Sequence, residues 1–166
     1  LTGWSYNLLV EGNSVSHSVH EHGIYISNSS DDGIIRNNLV YENHDSGIQF
    51  NADGFLEGDG VHSRNIVEGN VLFGNGTGGG ATINLDGFQD GIVRNNLLFE
   101  NHSTGIVLYD GFAAEPSTNN VVTNNTVVMA SDARWALLLE NASSGNTIVN
   151  NILLNKNPNR GSITAD

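Results

Sequence analysis

Three histidines hold one slot in this chain: His20, His44 and His102 each stand three residues before a glycine, at Gly23, Gly47 and Gly105. Imidazole titrates near neutral pH and ligates transition metals. His20 and His44, with Glu21, His22 and Asp45 beside them, could therefore do general acid–base work or hold such a metal. A second set is acidic: Asp53-Gly54-Phe55, Asp86-Gly87-Phe88 and Asp110-Gly111-Phe112, with Glu57, Asp59, Asp90 and Glu115 nearby. Crowded carboxylates bind a hard cation such as Ca²⁺, share a proton or splay into water. Asp53, Asp86 and Asp110 are the candidate Ca²⁺ ligands. Each group also has a plainer reading. Surface turns accept His, Asp-Gly is a common turn pair, and Phe55, Phe88 and Phe112 would then stack over one end of a core.

What must position these residues is a repeat. The stretch Asn37-Asn38-Leu39-Val40-Tyr41-Glu42-Asn43-His44-Asp45-Ser46-Gly47-Ile48-Gln49-Phe50 returns in near copy from Asn95 to Leu108. Looser copies begin near Asn13, Asn70, Asn125 and Asn151. The second Asn of each pair, at 13, 38, 70, 96, 125 and 151, recurs after 25, 32, 26, 29 and 26 residues, the period of a solenoid. Each coil would hold three short strands paired with their copies above and below. Six coils make residues 1–166 one domain. A fragment of a longer solenoid is expected, because strand edges at both ends would otherwise stand uncapped.

Alternation assigns the faces of each strand. The first strand turns Val15, Val40, Leu72, Leu98, Val127 and Leu153 inward, and the third turns Val10, Ile35, Val67, Val93, Val122 and Ile148 inward. In the second, the inward pairs are Ile24 and Ile26, Ile48 and Phe50, Ala81 and Ile83, Ile106 and Leu108, and Ala136 and Leu138. Its outward residues are then Tyr25, Gln49, Thr82 and Val107, followed by Ser27, Asn51, Asn84 and Tyr109. Amides and hydroxyls flanked by two Tyr rings suit the hydroxyls and C–H faces of sugars. Tyr25, Gln49, Asn51, Asn84 and Tyr109 are accordingly the candidate substrate-binding residues.

Stacking also predicts a ladder of side-chain amides through Asn13, Asn38, Asn70, Asn96, Asn125 and Asn151, and a shorter one through Asn43, Asn75 and Asn101. Glu11, Arg36, Glu68 and Arg94 form a column of alternating sign. Leu39, Tyr41, Val71, Phe73, Leu97 and Phe99 face outward although apolar. Such a stripe calls for a cover, either a flanking segment outside the fragment or an oligomer partner.

The long connections, 51–64, 86–90 and 110–118, follow the second strand and belong on one edge. His44 and Asp53 flank a strand and so stand on the order of 25 to 30 Å apart. Only the 51–64 loop, folding back with Asp59 and His62, would join acid to imidazole. His20, His44 and Asp59 are the candidate catalytic groups.

The net charge of -12, from 6 Lys and Arg against 18 Asp and Glu, excludes nucleic acid and an anionic membrane surface as partners, since both need a basic patch. It would also repel a polyuronate unless Ca²⁺ bridged the two. The absence of Cys leaves the redox compartment unread. The 25 Asn and 20 Gly fall at fixed repeat positions, as turn residues do.

Tandem Asn-Asn-x-apolar followed by Gly-Ile-x-apolar resembles the repeats of the pectate-lyase-like superfamily along the whole chain. The resemblance implies an all-β, single-stranded right-handed parallel β-helix. That superfamily includes polysaccharide lyases, alginate epimerases, glycoside hydrolases, phage tailspikes and a periplasmic copper-accessory protein. It implies a secreted module, extracellular or periplasmic, with polysaccharide as partner. The Tyr-Gly-Phe-Asp-Pro-His type of motif found in epimerases is not matched, since His20-Glu21-His22-Gly23-Ile24-Tyr25 lacks the Asp-Pro. The Gly-His-Gly segment and paired Asp of polygalacturonases have no counterpart. The expectation is a polysaccharide-binding or polysaccharide-processing module, lyase- or epimerase-like or a hydrolase if catalytic. A non-catalytic adhesin- or tailspike-like segment and a His-based metal-handling module are the alternatives.

Overall fold

The computed structural model describes residues 2–165, and among these every strand ladder is parallel and no helix forms. The chain winds as a parallel β-helix of three sheets. Sheet 1 stacks Ser14–Ser16, Leu39–Tyr41, Val71–Phe73, Leu97–Phe99, Thr126–Met129 and Ile152–Asn155. Sheet 2 stacks Thr2–Gly3, Ile24–Ser27, Ile48–Asn51, Ala81–Asp86, Thr104–Tyr109, Trp135–Leu139 and Ile163–Ala165. Sheet 3 stacks Leu9–Glu11, Ile34–Arg36, Ile66–Glu68, Ile92–Arg94, Val121–Thr123 and Thr147–Val149. A short ladder of His62–Ser63 on Phe88–Gln89 lies in the chain between sheets 2 and 3.

Strands this short hold only because the corners between them are fixed. The residue before each ladder Asn is left-handed, with φ of 68° at Gly12, 55° at Asn37, 63° at Gly69, and 56° at Asn95, Asn124 and Asn150. Gly and Asn tolerate that conformation and branched residues do not, which is why each pair reads Gly-Asn or Asn-Asn. The ladder Asn then closes the corner. Its Oδ1 accepts both the backbone N–H and an Nδ2 proton of the Asn one coil earlier, at 3.0 Å each from Asn38 to Asn70 and from Asn70 to Asn96. Its Nδ2 also donates to a backbone carbonyl, as Asn70 does to Ile35 at 2.9 Å. Asn43, Asn75 and Asn101 repeat the arrangement. A further amide column at the entry to sheet 3 was not expected: Asn65 caps Gly33 at 2.7 Å, Asn120 caps Gly91 at 2.8 Å, and Asn146 accepts from Asn120.

Inside run fully buried aliphatics, among them Ile35, Val40, Ile48, Leu72, Ile83, Leu98 and Ile106. The Gly of each Gly-Ile step is required by packing, since a Cβ at Gly47 would stand 2.9 Å from both Thr82 O and Leu72 Cδ2. On the outside of sheet 1, Tyr41, Phe73 and Phe99 stack at 5.0 Å with planes 14° and 17° apart, facing outward as expected. The alternating column also forms, with Glu11–Arg36 at 2.8 Å and Glu68–Arg94 at 2.7 Å.

Two expectations fail on register. Ile24 aligns with Ile48, Ile83, Ile106 and Leu137, so the inward pairs of the later coils are Ile83 with Leu85 and Leu137 with Leu139. Ala81 and Leu138 instead join Val107 in an outer apolar cluster, and Thr82 is buried with its hydroxyl donating to Thr104 O. In the third coil the cause is the glycine-rich connection Gly76–Gly80, which delays that strand relative to its ladder Asn75. The three-Phe stack also fails. Phe88 is buried edge-on to Phe50 at 5.0 Å, whereas Phe55 and Phe112 are 89% and 63% exposed. Asp86 lies within its strand, aligned with Asn51 and Tyr109, while Asp53 and Asp110 follow theirs, so the Asp-Gly-Phe triplets are not equivalent.

Candidate functional site

The outer face of sheet 2 carries two columns. One runs Tyr25, Gln49, Asn84, Val107 and Leu138, and the other Ser27, Asn51, Asp86 and Tyr109. Asn84 thus stands beside Gln49 and Val107 rather than beside Asn51 and Tyr109. Over the third to fifth coils the face opens into a cleft of about 160 Å³. Ala81, Val107 and Leu138 supply apolar wall, Asn84, Thr104 and Tyr109 supply polar groups, and Arg134 and Glu140 add charge. Two of these polar groups are buried without a partner: Asn84 Oδ1 and Thr104 Oγ1 have no hydrogen bond. Buried polar atoms are almost always paired, so two orphans in one cleft mark it out.

Burial, reinforced by the Asp86 carboxylate, pushes the Tyr109 hydroxyl up to about 12, against hydrogen bonding from Gln49 and Asn84. Tyr109 therefore stays protonated. Burial also raises Asp86, while N–H groups of the 111–113 turn oppose that shift. Its two oxygens accept from Gly111 at 2.7 Å and Phe112 at 3.0 Å, which commits this carboxylate to holding the loop.

The second group stands where the chain enters sheet 2. His20 and His44 do come together, with ring centroids 6.1 Å apart and planes at 72°. Asp45 Oδ1 lies 2.9 Å from His44 Nδ1. His22 stacks on Tyr25 at 5.2 Å and takes the Ser46 N–H on its Nδ1 at 3.2 Å. Burial lowers the His22 pKa, partly offset by Asp45 and Glu21. Among the described residues, Glu21, His22 and Asp45 are the one set of three acidic or imidazole side chains with ligand atoms all within 4.8 Å.

Asp59 is not brought to His20 and His44, although its charge is felt at His62. Its loop packs at the far edge, where Gly60 donates to Ser29 Oγ at 2.8 Å and accepts from Ala114 at 3.0 Å, and Asp59 caps Val61. His62 turns into the core, edge-on to Phe50, and accepts the Ser30 N–H at 3.2 Å. Asp53, Asp86 and Asp110 do not gather their oxygens within 4.8 Å of one another; Asp53 caps Phe55, and Asp86, which feels the Asp110 charge, holds the 111–112 turn. Sequence reasoning missed Thr104, Arg134, Leu138 and Glu140. Leu138 was hidden by the register, and the only signal for Arg134 and Glu140 was a charge at each end of an apolar strand.

The family described as "Periplasmic copper-binding protein (NosD)" matches residues 3–164. No curated protein sequence matches the chain. Among solved structures, the crystal structure of an alginate lyase from Paenibacillus sp. str. FPU-7 is similar, at 14% identity and a TM-score of 0.46, over 99% of this chain and 78% of that one.

Proposed function

The chain belongs to the NosD family of periplasmic copper-binding proteins, and we propose that it is a periplasmic or extracellular β-helix module that binds a polysaccharide on the outer face of sheet 2. The observation that carries this reading is the pair of orphaned atoms, Asn84 Oδ1 and Thr104 Oγ1, in a cleft walled by Ala81, Val107 and Leu138. A sugar hydroxyl both donates and accepts, so once a side-chain rotation brings either atom, each sealed from solvent as it stands, to the cleft, one hydroxyl can satisfy it while a C–H face lies on the apolar wall. Tyr109 adds a hydroxyl that burial keeps protonated, and Gln49, Tyr25 and Asn51 extend the strip across earlier coils. The acidic surroundings favour a neutral glycan over a polyuronate. Tyr109 enters as a hydrogen-bonding group and Asp86 is held by its turn, so the reading is one of binding.

Calorimetric titration with neutral oligosaccharides of increasing length tests it. Binding is expected, with Asn84→Leu and Thr104→Val each weakening it roughly tenfold, the effect of losing one buried hydrogen bond. No binding by any oligosaccharide, or unchanged affinity in both variants, would overturn the reading.

A further inference from the structure

Copper chemistry can be tested against the donors this chain presents. It has no Cys, and its one Met, Met129, is fully buried, so soft sulfur donors for Cu(I) are not offered at the surface. Imidazole and carboxylate, the donors that suit Cu(II), gather at the entry to sheet 2. The compact trio Glu21, His22 and Asp45 is the obvious choice, but hydrogen bonding speaks against its imidazole. A backbone N–H can only donate, so the Ser46 contact makes His22 Nδ1 an acceptor and leaves the ring proton on Nε2. That proton faces the carboxylate side, with Glu21 Oε2 3.9 Å from Nε2. Ligation there would require giving up the Ser46 bond.

His44 has the opposite tautomer. An ionised carboxylate can only accept, so Asp45 at 2.9 Å fixes the proton on His44 Nδ1 and frees the Nε2 lone pair. Ligating histidines are oriented by this kind of second partner. The ring is also pinned by the next coil: Gly78 donates to His44 O at 2.7 Å, and a Cβ at Gly78 would stand 1.9 Å from the ring's Cε1. His20 makes no side-chain hydrogen bond among the described residues and approaches His44 edge-on, at a centroid distance of 6.1 Å. A metal about 2.0 Å from an imidazole nitrogen sits roughly 3.2 Å from the ring centroid, so rings 6.1 Å apart can share one ion when their nitrogens turn toward each other in a near-trans arrangement, at an N–Cu–N angle of roughly 145°.

We propose that His20 and His44 form a two-imidazole site for Cu(II), with Asp45 orienting His44 and with His22 taking no part. The test is Cu(II) titration of the intact chain at pH 7.5, followed by calorimetry and by the nitrogen hyperfine pattern in electron paramagnetic resonance. The wild-type chain is expected to show two coordinated nitrogens. His20→Ala and His44→Ala each leave one nitrogen and lower affinity at least tenfold, while His22→Ala leaves spectrum and affinity unchanged. Gly78→Ala keeps both imidazoles but displaces the His44 ring, and so weakens binding without removing a ligand. Thermal unfolding of each variant confirms that the fold survives. Loss of the signal in His22→Ala, its persistence in His20→Ala or His44→Ala, or no Cu(II) binding by the wild-type chain would each overturn the assignment.

Discussion

Asn70 and Asn84 belong to the same coil, are both buried, and are used in opposite ways. Asn70 spends every polar atom on its neighbours: Oδ1 accepts twice from Asn38, Nδ2 donates to Ile35 O and Asn96 Oδ1, and the backbone N–H also reaches Asn96. Asn84, on the outer face of sheet 2, leaves Oδ1 without a donor. A buried amide that is fully paired supports the fold, and one left unpaired costs stability. The ladder amide is thus committed to holding coils together, whereas the Asn84 acceptor has no protein partner.

Substitution in the ladder should break the molecule. Asn96→Leu would leave the Asn70 N–H and Nδ2 without their shared acceptor and Val67 O without its donor. At roughly 1–3 kcal/mol per orphaned buried group, the cost is on the order of 4 kcal/mol. Urea unfolding of the variant measures it. A loss no larger than that of Asn84→Leu would erase the contrast between the two amides.

His62 lies between these extremes as a buried, partly satisfied group. Burial lowers its pKa from 6.5 to about 4, outweighing backbone hydrogen bonding at Ser30 and Asn51 and the nearby Asp31 and Asp59. The folded state therefore keeps His62 neutral, while the unfolded chain begins to bind its proton near pH 6.5. The contribution is undiminished above pH 6.5 and is lost as pH falls from there toward 4, on the order of 3 kcal/mol in all. Unfolding free energies measured from pH 7 to 4 should show this slope, and His62→Leu should flatten it. An equal slope in the variant would assign the acid sensitivity elsewhere.

Asn84→Leu should do nearly the reverse of Asn96→Leu. Removing an acceptor that had no donor relieves a desolvation cost and offsets the loss of the hydrogen bond to Tyr109, so stability should change by less than about 1 kcal/mol in either direction. Glycan affinity is where this variant is expected to fail. Paired urea and calorimetric titrations on one preparation separate the effects, and a large destabilisation would mean that Asn84 holds the sheet.

The same contrast explains what could be read from sequence. Ladder positions repeat because each must meet its copy in the next coil, so Asn38, Asn70 and Asn96 were legible from spacing, as were inward Val40 and outward Tyr41. The cleft has no such periodicity. It depends on Gly76–Gly80 delaying one strand, which moved Asn84 and Asp86 along the face, while Leu138 faces outward on the register of its own fifth-coil strand. Phe55 and Phe88 shared a triplet but not a register position, so one is exposed and the other buried. His20 and His44 could be paired from their common slot. The tautomers of His22 and His44 could not, because these depend on Ser46 N–H reaching His22 and Asp45 reaching His44 across or along turns.

The smallest effect is expected where a repeated column meets water. Arg94 reaches Glu68 at 2.7 Å, but its side chain is 42% exposed, and solvent screens such pairs to a few tenths of a kcal/mol. Glu68 is also flanked by Arg36 one coil earlier, so Arg94→Met does not leave it without a cation. Only a slight loss of stability should appear in low salt, fading at 1 M as the Debye length contracts to about 3 Å. Urea unfolding at both ionic strengths measures it. A loss above about 2 kcal/mol that survives high salt would place this column with the buried ladder, and periodicity alone would then mark structural necessity wherever it occurs in the coil.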